Sequence, residues 1–289
     1  MAIPGLTIIG ESINDSVPST KKLFDASDEA GLLELARTQD EGGAAYIDVN
    51  VGARSPAFMA DLVKKIQGVT SKPLSIDTPD PAIARAGLEA YDQDRAGGRK
   101  PVLNSVTSLR VGMFDLYAIQ PFVPILLISE HVVGGASRPC HTAAESLAAA
   151  KYLVETFRKK VPGVANSGYI LDPGIAPLGS DTQGNIHRLM ACLELIHADA
   201  DFAGAHISVG LSNFTVMLPM KRADGSAVKG PLESAFLTKA MPLGLDTVIG
   251  SVKRKYELLP PDNPAIVCLE DCLKAKGFDV LMRVREFYA

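Results

Sequence analysis

The chain has 289 residues, of which 47% are hydrophobic, so it can bury one large core or two smaller ones. Its 29 basic and 33 acidic residues give a net charge of −4, and no basic block could follow a phosphate backbone, which argues against nucleic acid as a partner. Residues 122–128 (FVPILLI) are too short to span a bilayer and the N-terminus lacks a signal-peptide pattern, so we expect a cytoplasmic protein with no membrane partner.

Short β-rich segments alternate with longer segments of helix-forming composition along the whole chain. The predicted strands are Leu6–Gly10, Ala45–Val51, Pro73–Asp77, Val102–Ser105, Val123–Ser129, Tyr169–Asp172, His206–Gly210 and Asp246–Gly250. Eight strand–helix units without a change of composition predict an α/β fold, a single (β/α)₈ TIM-barrel domain over residues 1–289. The alternative is a doubly wound open sheet, but no GxGxxG sequence follows the first strand.

The last segment, residues 252–289, has apolar residues at helical spacing. We expect one or two helices there that close the barrel or form a dimer face. Cys268 and Cys272 also have helical spacing, but no histidine lies near them in the sequence, so we predict structural thiols rather than a metal site.

Polar side chains follow six of the eight predicted strands, at the end where this fold places catalytic residues. They are Glu11 and Ser12, Asp48 and Asn50, Asp77, Asn104 and Ser105, Asp172, and Ser212 and Asn213. A single such residue is more often the N-cap of the next helix. Asp80 followed by Pro81 can supply that cap after Asp77, however, and Asp181 or Thr182 can supply it after Asp172, so the strand-end aspartates are free for a ligand.

The residue types at these strand ends leave two kinds of ligand open. No strand ends in the lysine that a Schiff-base aldolase requires. Asp48, Asp77 and Asp172 could bind Mg²⁺ in a metal-dependent barrel lyase or aldolase. Carboxylates beside carboxamides also suit a flat nitrogen heterocycle, because adjacent ring N–H groups can donate paired hydrogen bonds to a carboxylate.

Six segments resemble, in order and spacing, the pterin-binding barrel of the methyltetrahydrofolate:corrinoid protein methyltransferase family. They are IIGESIN (8–14), YIDVNVG (46–52), LSIDT (74–78), LNSVTS (103–108), ILDPGI (170–175) and VGLSN (209–213). The resemblance covers about residues 6–250. It implies a pterin-binding TIM barrel that moves a methyl group between N5 of tetrahydrofolate and the cobalt of a corrinoid (cobalamin) carried by a partner protein.

The resemblance also implies roles for individual residues. Asp77, Asn104 and Asp172 would hold the pyrimidine edge of the pterin, and Asp48 and Asn50 would line the same cavity. Asn213 would be the catalytic residue near N5, and Glu11, Ser105 and Ser212 would complete the substrate-binding set. Tetrahydrofolate or 5-methyltetrahydrofolate would be the substrate, no protein-bound metal is expected, and a homodimer is expected.

Two departures from relatives are visible in the sequence. Relatives often read Gly-Glu-Arg-Ile-Asn after strand one, whereas Ser12 stands here in place of the arginine. Dihydropteroate synthase, which shares the barrel and the pterin pocket, has a Ser-Arg-Lys signature after strand seven, where this chain reads Gly-Leu-Ser-Asn. A dihydropteroate synthase-like enzyme, a metal-dependent lyase and a non-catalytic folate-binding protein are the alternatives. The loops 130–141 and 214–230 are the predicted contacts for the corrinoid protein.

Overall fold

A computed structural model of the protein describes residues 3–289. The barrel strands are β1 (Thr7–Asn14), β2 (Tyr46–Asn50), β3 (Leu74–Asp77), β4 (Val102–Val106), β5 (Val123–Leu127), β8 (Ile170–Asp172), β9 (His206–Gly210) and β10 (Thr247–Gly250). They pair in parallel and close in the order β1-β10-β9-β8-β5-β4-β3-β2. The predicted TIM barrel is therefore confirmed.

Helices connect the strands on the outside of the barrel. They are α1 (Pro18–Asp25), α2 (Glu29–Glu41), α3 (Pro56–Ile66), α4 (Pro81–Ala90), α5 (Ala143–Lys160), α6 (Asn185–Ala198), α7 (Leu211–Phe214), α8 (Lys229–Ala240), α9 (Pro264–Lys274) and α10 (Phe278–Tyr288). Asp80 caps α4 by accepting from the backbone N–H groups of Ala82 and Ile83. Asp181 accepts from the N–H groups of Asn185 and Ile186 at the start of α6. Both caps leave the strand-end aspartates free of this task.

Two apolar layers stabilise the barrel. The larger one lies between the outer faces of the strands and the helices, and includes Ile47, Leu103 and Val209, which are fully buried. The smaller one fills the interior of the barrel with Ile9, Val102, Ile125 and Ile170. Because side chains alternate along a strand, the residues two positions further along β1, β4 and β8 also face the interior, above this apolar layer. They are Glu11, Asn104 and Asp172.

The first strand is longer than predicted. It continues past Gly10 to Asn14, after a shift of register between Gly10 and Ile13 in its pairing with β2. The shift lets Ile13 enter the core, where it is fully buried, and keeps the backbone extended. Glu11 is therefore part of the barrel wall rather than of a loop.

The segment 130–141, predicted as a loop, contains a β-hairpin of β6 (Glu130–Val133) and β7 (Ala136–Pro139). Gly134 and Gly135 connect the two strands with φ of 60° and 80°. Two consecutive residues with positive φ make the tight turn that fits the twist of a hairpin, and glycine adopts them without strain.

The predicted C-terminal helices are α9 and α10. α9 packs on α8, and α10 packs on α9 and on the segment Leu178–Ser180. Cys268 and Cys272 are buried free thiols on α9. Among residues 3–289, no helix is both long and apolar enough to cross a membrane.

Candidate active site

A cavity of about 670 Å³ opens at the carboxyl ends of the barrel strands. Eight of the nine predicted site residues line it: Glu11, Asp48, Asp77, Asn104, Ser105, Asp172, Ser212 and Asn213. They come from β1, β2, β3, β4, β8 and the turn after β9, so the closed barrel brings together residues that are far apart in the sequence.

Asn50 is the predicted site residue that does not line this cavity. It borders a neighbouring groove that contains Arg54. Its Nδ2 donates to Asp77 Oδ2 at 2.8 Å, and its Oδ1 accepts from the N–H of Gly52 at 2.9 Å. Asn50 therefore fixes the orientation of Asp77, a residue that does line the cavity, and its own part in substrate binding stays a prediction.

The carboxyls of Asp48, which is buried, and Asp77, which is half-buried, are neighbours. Asp48 Oδ1 accepts from Ser75 Oγ at 2.5 Å and from Asn104 Nδ2 at 3.4 Å, while its Oδ2 has no hydrogen-bond partner among residues 3–289. Burial, followed by the charge of Asp77, raises the pKa of Asp48 well above its usual range. Burial also raises the pKa of Asp77. We infer that this pair retains a proton which two exposed carboxyls would lose.

Asp172 stands at the end of β8 and is 5% exposed. Its Oδ1 accepts from the N–H of Gly174 at 2.8 Å and its Oδ2 from Ser208 Oγ at 2.9 Å. Burial raises the pKa of Asp172 to about 6, although both hydrogen bonds and the positive charge of Arg188 oppose the shift. At neutral pH the side chain is therefore an oriented carboxylate that faces the cavity at a cost in desolvation.

Asn213 lies beyond the end of its strand, as the predicted bounds of that strand indicate. β9 ends at Gly210, and Asn213 is the third residue of the four-residue helix α7. A Cβ on Gly210 would lie 2.9 Å from Asn213 Nδ2, so the carboxamide folds back over the end of the strand. Asn213 is exposed at the mouth of the cavity, and its carboxamide has no hydrogen-bond partner within the part of the chain that the structure describes, so a ligand in the cavity can reach it.

Hydrogen bonds to two acidic residues hold the turn that carries Asn213. Ser212 Oγ donates to Glu11 Oε2 at 2.8 Å, across 201 residues of sequence. On the other side, Thr215 Oγ1 donates to Glu233, which is 0% exposed. Both ends of α7 are therefore tied to neighbouring elements of the barrel, one to β1 and the other to α8.

A cation stands beside this pair of acids. Arg254 Nε lies 3.2 Å from Glu233 Oε2. The basic run SVKRKYE (251–257), which contains Arg254, follows β10 without forming a helix. Residues 252–254 form a turn, and Tyr256 is buried at 5% exposure with its hydroxyl against Gly250.

Sequence reasoning missed the residues that support the site. Ser75 and Ser208 hold Asp48 and Asp172, and each lies on an inward-facing position of its strand, so strand alternation could have identified both. Glu233 gave no such signal, because α8 is buried on nearly every side and has no polar face that would mark it. Within residues 3–289, no group of three or more His, Cys, Asp or Glu side chains is arranged to hold a metal ion.

Known proteins share this fold and this sequence pattern. The chain is 27% identical over 254 residues to the methylcorrinoid:tetrahydrofolate methyltransferase of Eubacterium limosum, with 84% of each protein covered. The 7,8-dihydropteroate synthase of Vibrio fischeri ES114 superimposes with a TM-score of 0.58 at 17% identity, covering 86% of this chain and 88% of that one. The dihydropteroate synthase of Xanthomonas albilineans with 4-aminobenzoic acid gives 0.55 at 16% identity, covering 84% and 86%.

At these identities the two synthase structures establish the shared fold alone. Residues 13–250 match the family described as pterin binding enzyme. Of the predicted site residues that line the cavity, Glu11 alone lies outside this range. This match covers most of the chain and the barrel to which the cavity belongs. The chain is therefore a member of the pterin-binding enzyme family.

Proposed function

We propose that the protein is a methyltransferase that moves a methyl group between N5 of tetrahydrofolate and the cobalt of a corrinoid carried by a partner protein. The observation that carries the proposal is the unpartnered carboxamide of Asn213, which shares one cavity with the half-buried carboxyl of Asp77 and the buried carboxyl of Asp172. The similarity to a methylcorrinoid:tetrahydrofolate methyltransferase supports it.

In this proposal Asp77, Asn104 and Asp172 bind the pyrimidine edge of the pterin. A 2-amino-4-oxopyrimidine presents adjacent N–H donors, and the Asp172 carboxylate is fixed by two hydrogen bonds in a position to accept them. Charge-assisted hydrogen bonds of this kind contribute about 1.5–3 kcal/mol each. Asn50 and Ser75 keep the neighbouring carboxyls in place before the substrate arrives.

At the other end of the pterin, the Asn213 carboxamide contacts N5. A tertiary amine is a poor leaving group, so N5 has to gain a proton, with its positive charge, as its bond to the methyl group breaks. The oxygen of the carboxamide can accept a hydrogen bond from a protonated N5, directly or through water, and so stabilise that charge. The corrinoid supplies a cobalt(I) nucleophile, and the residues that line the cavity include neither a cysteine nor a lysine.

The surface around the cavity offers contacts for the corrinoid protein. Val133 on the hairpin is 55% exposed, and Met217 and Met220, in the loop after α7, are 67% and 66% exposed. Exposed apolar side chains at the catalytic end of a barrel favour the contact predicted for both loops. The homodimer and the cytoplasmic location stay predictions.

The experiment for this function mixes the protein with 5-methyltetrahydrofolate and reduced cobalamin without oxygen. We expect the cobalt(I) absorbance to disappear at a rate proportional to the protein concentration. The same preparation is tested for condensation of a pterin pyrophosphate with 4-aminobenzoic acid. A protein that catalyses the condensation and leaves cobalt(I) unchanged is a synthase, and the proposal would be wrong.

Chelation separates this function from a metal-dependent lyase or aldolase. If Asp48, Asp77 and Asp172 bound Mg²⁺ or Mn²⁺, dialysis against a chelator would abolish activity, and the added metal would restore it. We expect methyl transfer to continue at an unchanged rate after dialysis. Loss of the rate with recovery on addition of metal would assign the three aspartates to a metal.

Gly210→Ala tests the placement of the Asn213 carboxamide without altering that residue. The φ of Gly210 is −74°, so alanine fits the backbone, but its Cβ would meet Asn213 Nδ2. We expect the rate of methyl transfer to fall about 10- to 100-fold, because small displacements of a catalytic group have effects of that size. Stopped-flow absorbance measures the rate.

Gly230→Ala is the matched control, since no atom lies within 4 Å of the position of its added Cβ. We expect this variant to transfer the methyl group at the wild-type rate. If Gly210→Ala also did so, the Asn213 carboxamide would not act from the position that the structure gives it.

A further inference from the structure

The reaction proposed for this cavity exchanges a proton at N5, whereas the proton inferred for the cavity lies on the Asp48–Asp77 pair, away from Asn213 in the proposed binding mode. A carboxamide such as that of Asn213 is neutral and has no acidic proton. Asp48 and Asp172 each accept two hydrogen bonds from the protein, and Asp77 accepts one from Asn50. Asp77 and Asp172 belong to the proposed pyrimidine site and Asp48 lies beside Asp77, so a further group is needed on the side of Asn213.

Glu11 is the lining carboxyl that lies on that side. It is on β1, separated from β9 by β10 alone, and it is bonded to Ser212, the neighbour of Asn213. The bond uses Oε2, and Oε1 has no hydrogen-bond partner among residues 3–289. One carboxyl oxygen of Glu11 is thus held by Ser212, and the other is available at the cavity.

The charges around Glu11 suit a group that gains and loses a proton. Burial raises the pKa of Glu11, the hydrogen bond from Ser212 lowers it, the charge of Glu233 raises it, and that of Arg254 lowers it. Burial, followed by the charges of the same two acids, raises the pKa of the nearby Tyr256 phenol. A carboxyl whose pKa lies nearer to the working pH exchanges a proton more readily than an exposed one.

We propose that Glu11 is the catalytic residue that exchanges the N5 proton, with Ser212 holding its carboxyl beside Asn213. This proposal rests on the proposed function. As the N5–CH₃ bond breaks, the methyl group bonds to the electron pair of cobalt(I). N5 keeps the electrons of the broken bond and takes the proton from Glu11, which becomes a carboxylate. In the reverse direction the carboxylate removes the proton from N5 while N5 takes the methyl group.

The direct test is Glu11→Gln, which keeps the shape of the side chain and an acceptor for Ser212 but has no proton to exchange. We expect the single-turnover rate of methyl transfer to fall at least about 100-fold, the lower end for loss of a general acid. The dependence of that rate on pH should also flatten, and the affinity for 5-methyltetrahydrofolate should change far less. Glu89→Gln on the outside of the barrel is the matched control and should behave as wild type.

A second pair of variants separates proton exchange from positioning. Ser212→Ala removes the hydrogen bond and leaves the carboxyl, so we expect a smaller loss than in Glu11→Gln. Glu11→Asp keeps the proton on a shorter side chain and should retain part of the rate together with its dependence on pH, even if Glu11→Gln folds poorly. Equal losses in Ser212→Ala and Glu11→Gln, or a flat pH profile in Glu11→Asp, would overturn the proposal.

Proton uptake on binding gives a readout that does not depend on catalysis. Calorimetry in buffers of different ionisation enthalpy measures the protons taken up when 5-methyltetrahydrofolate binds at neutral pH. We expect the wild type to take up more protons than Glu11→Gln, because the bound substrate buries the Glu11 carboxyl further. Equal uptake together with equal rates would overturn the proposal. A difference in uptake in a protein that transfers no methyl group would support Glu11 as the proton-exchanging group and refute the proposed function alone.

Discussion

Asn213→Ala is expected to reduce the rate of methyl transfer about 100- to 1000-fold, the effect of removing one group that stabilises charge in a transition state. The affinity for 5-methyltetrahydrofolate should fall by a much smaller factor, because the methylated N5 of the ground state lacks the developing charge that the carboxamide meets. Stopped-flow spectroscopy gives the rate and calorimetry gives the affinity. The carboxamide has no partner among residues 3–289, so its removal disturbs little of the fold.

The comparison between rate and affinity decides the role of Asn213. Gln39→Ala on α2 is not a suitable control, because its carboxamide accepts from the Ser12 N–H of β1. Asn263→Ala is a better one, since Asn263 caps α9, away from the cavity. A loss of affinity as large as the loss of rate would make Asn213 a binding residue only. If the rate and the affinity were both unchanged, Asn213 would have no role in the reaction.

Asp172→Asn is expected to have opposite effects on substrate binding and on stability. The variant loses the charge that receives the pterin N–H groups, so we expect the affinity for 5-methyltetrahydrofolate to fall by about 1.5–3 kcal/mol, a factor of roughly 10 to 150. In the absence of substrate, the buried carboxylate has a folded pKa of about 6 against an ordinary value of 3.8. The folded state therefore binds this proton more tightly than the unfolded state does.

The sign of the pH dependence follows from that raised pKa. The contribution of the protonated Asp172 carboxyl to the free energy of unfolding is fully present below pH 3.8 and is lost as the pH rises through about 6. A shift of about two pH units corresponds to about 3 kcal/mol at neutral pH. At neutral pH we expect the free energy of unfolding of Asp172→Asn to exceed that of the wild type by up to this amount. Urea unfolding of the substrate-free protein measures the difference, which should shrink at low pH.

The affinity for the substrate should depend on the same titration of Asp172. Wild-type affinity for 5-methyltetrahydrofolate is expected to weaken as the pH falls below about 6, where Asp172 gains a proton, and Asp172→Asn should lose that dependence. Ser208→Ala is an informative companion, because it removes one of the bonds that hold the carboxylate and leaves its charge. An Asp172→Asn variant with wild-type affinity and lower stability would contradict both expectations.

Much of the barrel could be predicted because its strands repeat a simple pattern. Short β-rich segments recur between longer helical segments, and parallel strands place all their carboxyl ends at one mouth. Asp77, Asn104 and Asp172 could be expected to meet there from strand position alone. Asp80 and Asp181 also behave as expected, since a side-chain oxygen before a helix satisfies free backbone N–H groups.

The rest depends on contacts between distant segments that local patterns do not encode. Glu11 looks like a loop residue until a shift of register extends β1, and the conformation of α7 cannot be deduced from Gly210 and Asn213 alone. The link from Thr215 to Glu233 joins the turn to a helix with no polar face. Strand alternation likewise does not encode that Asn50 donates to Asp77 on the neighbouring strand.

The central claim is that this cavity transfers a methyl group between folate N5 and cobalt, and the transferred carbon itself gives the most direct test. The protein is incubated with 5-methyltetrahydrofolate labelled with ¹³C in the methyl group and with reduced cobalamin, and the carbon is followed by NMR. We expect the methyl resonance of the folate to be replaced by that of a cobalt-bound methyl group with the wild type, and to persist with Asn213→Ala over the same time. A folate methyl resonance that persists with the wild type, in a protein shown by calorimetry to bind the folate, would contradict the claim.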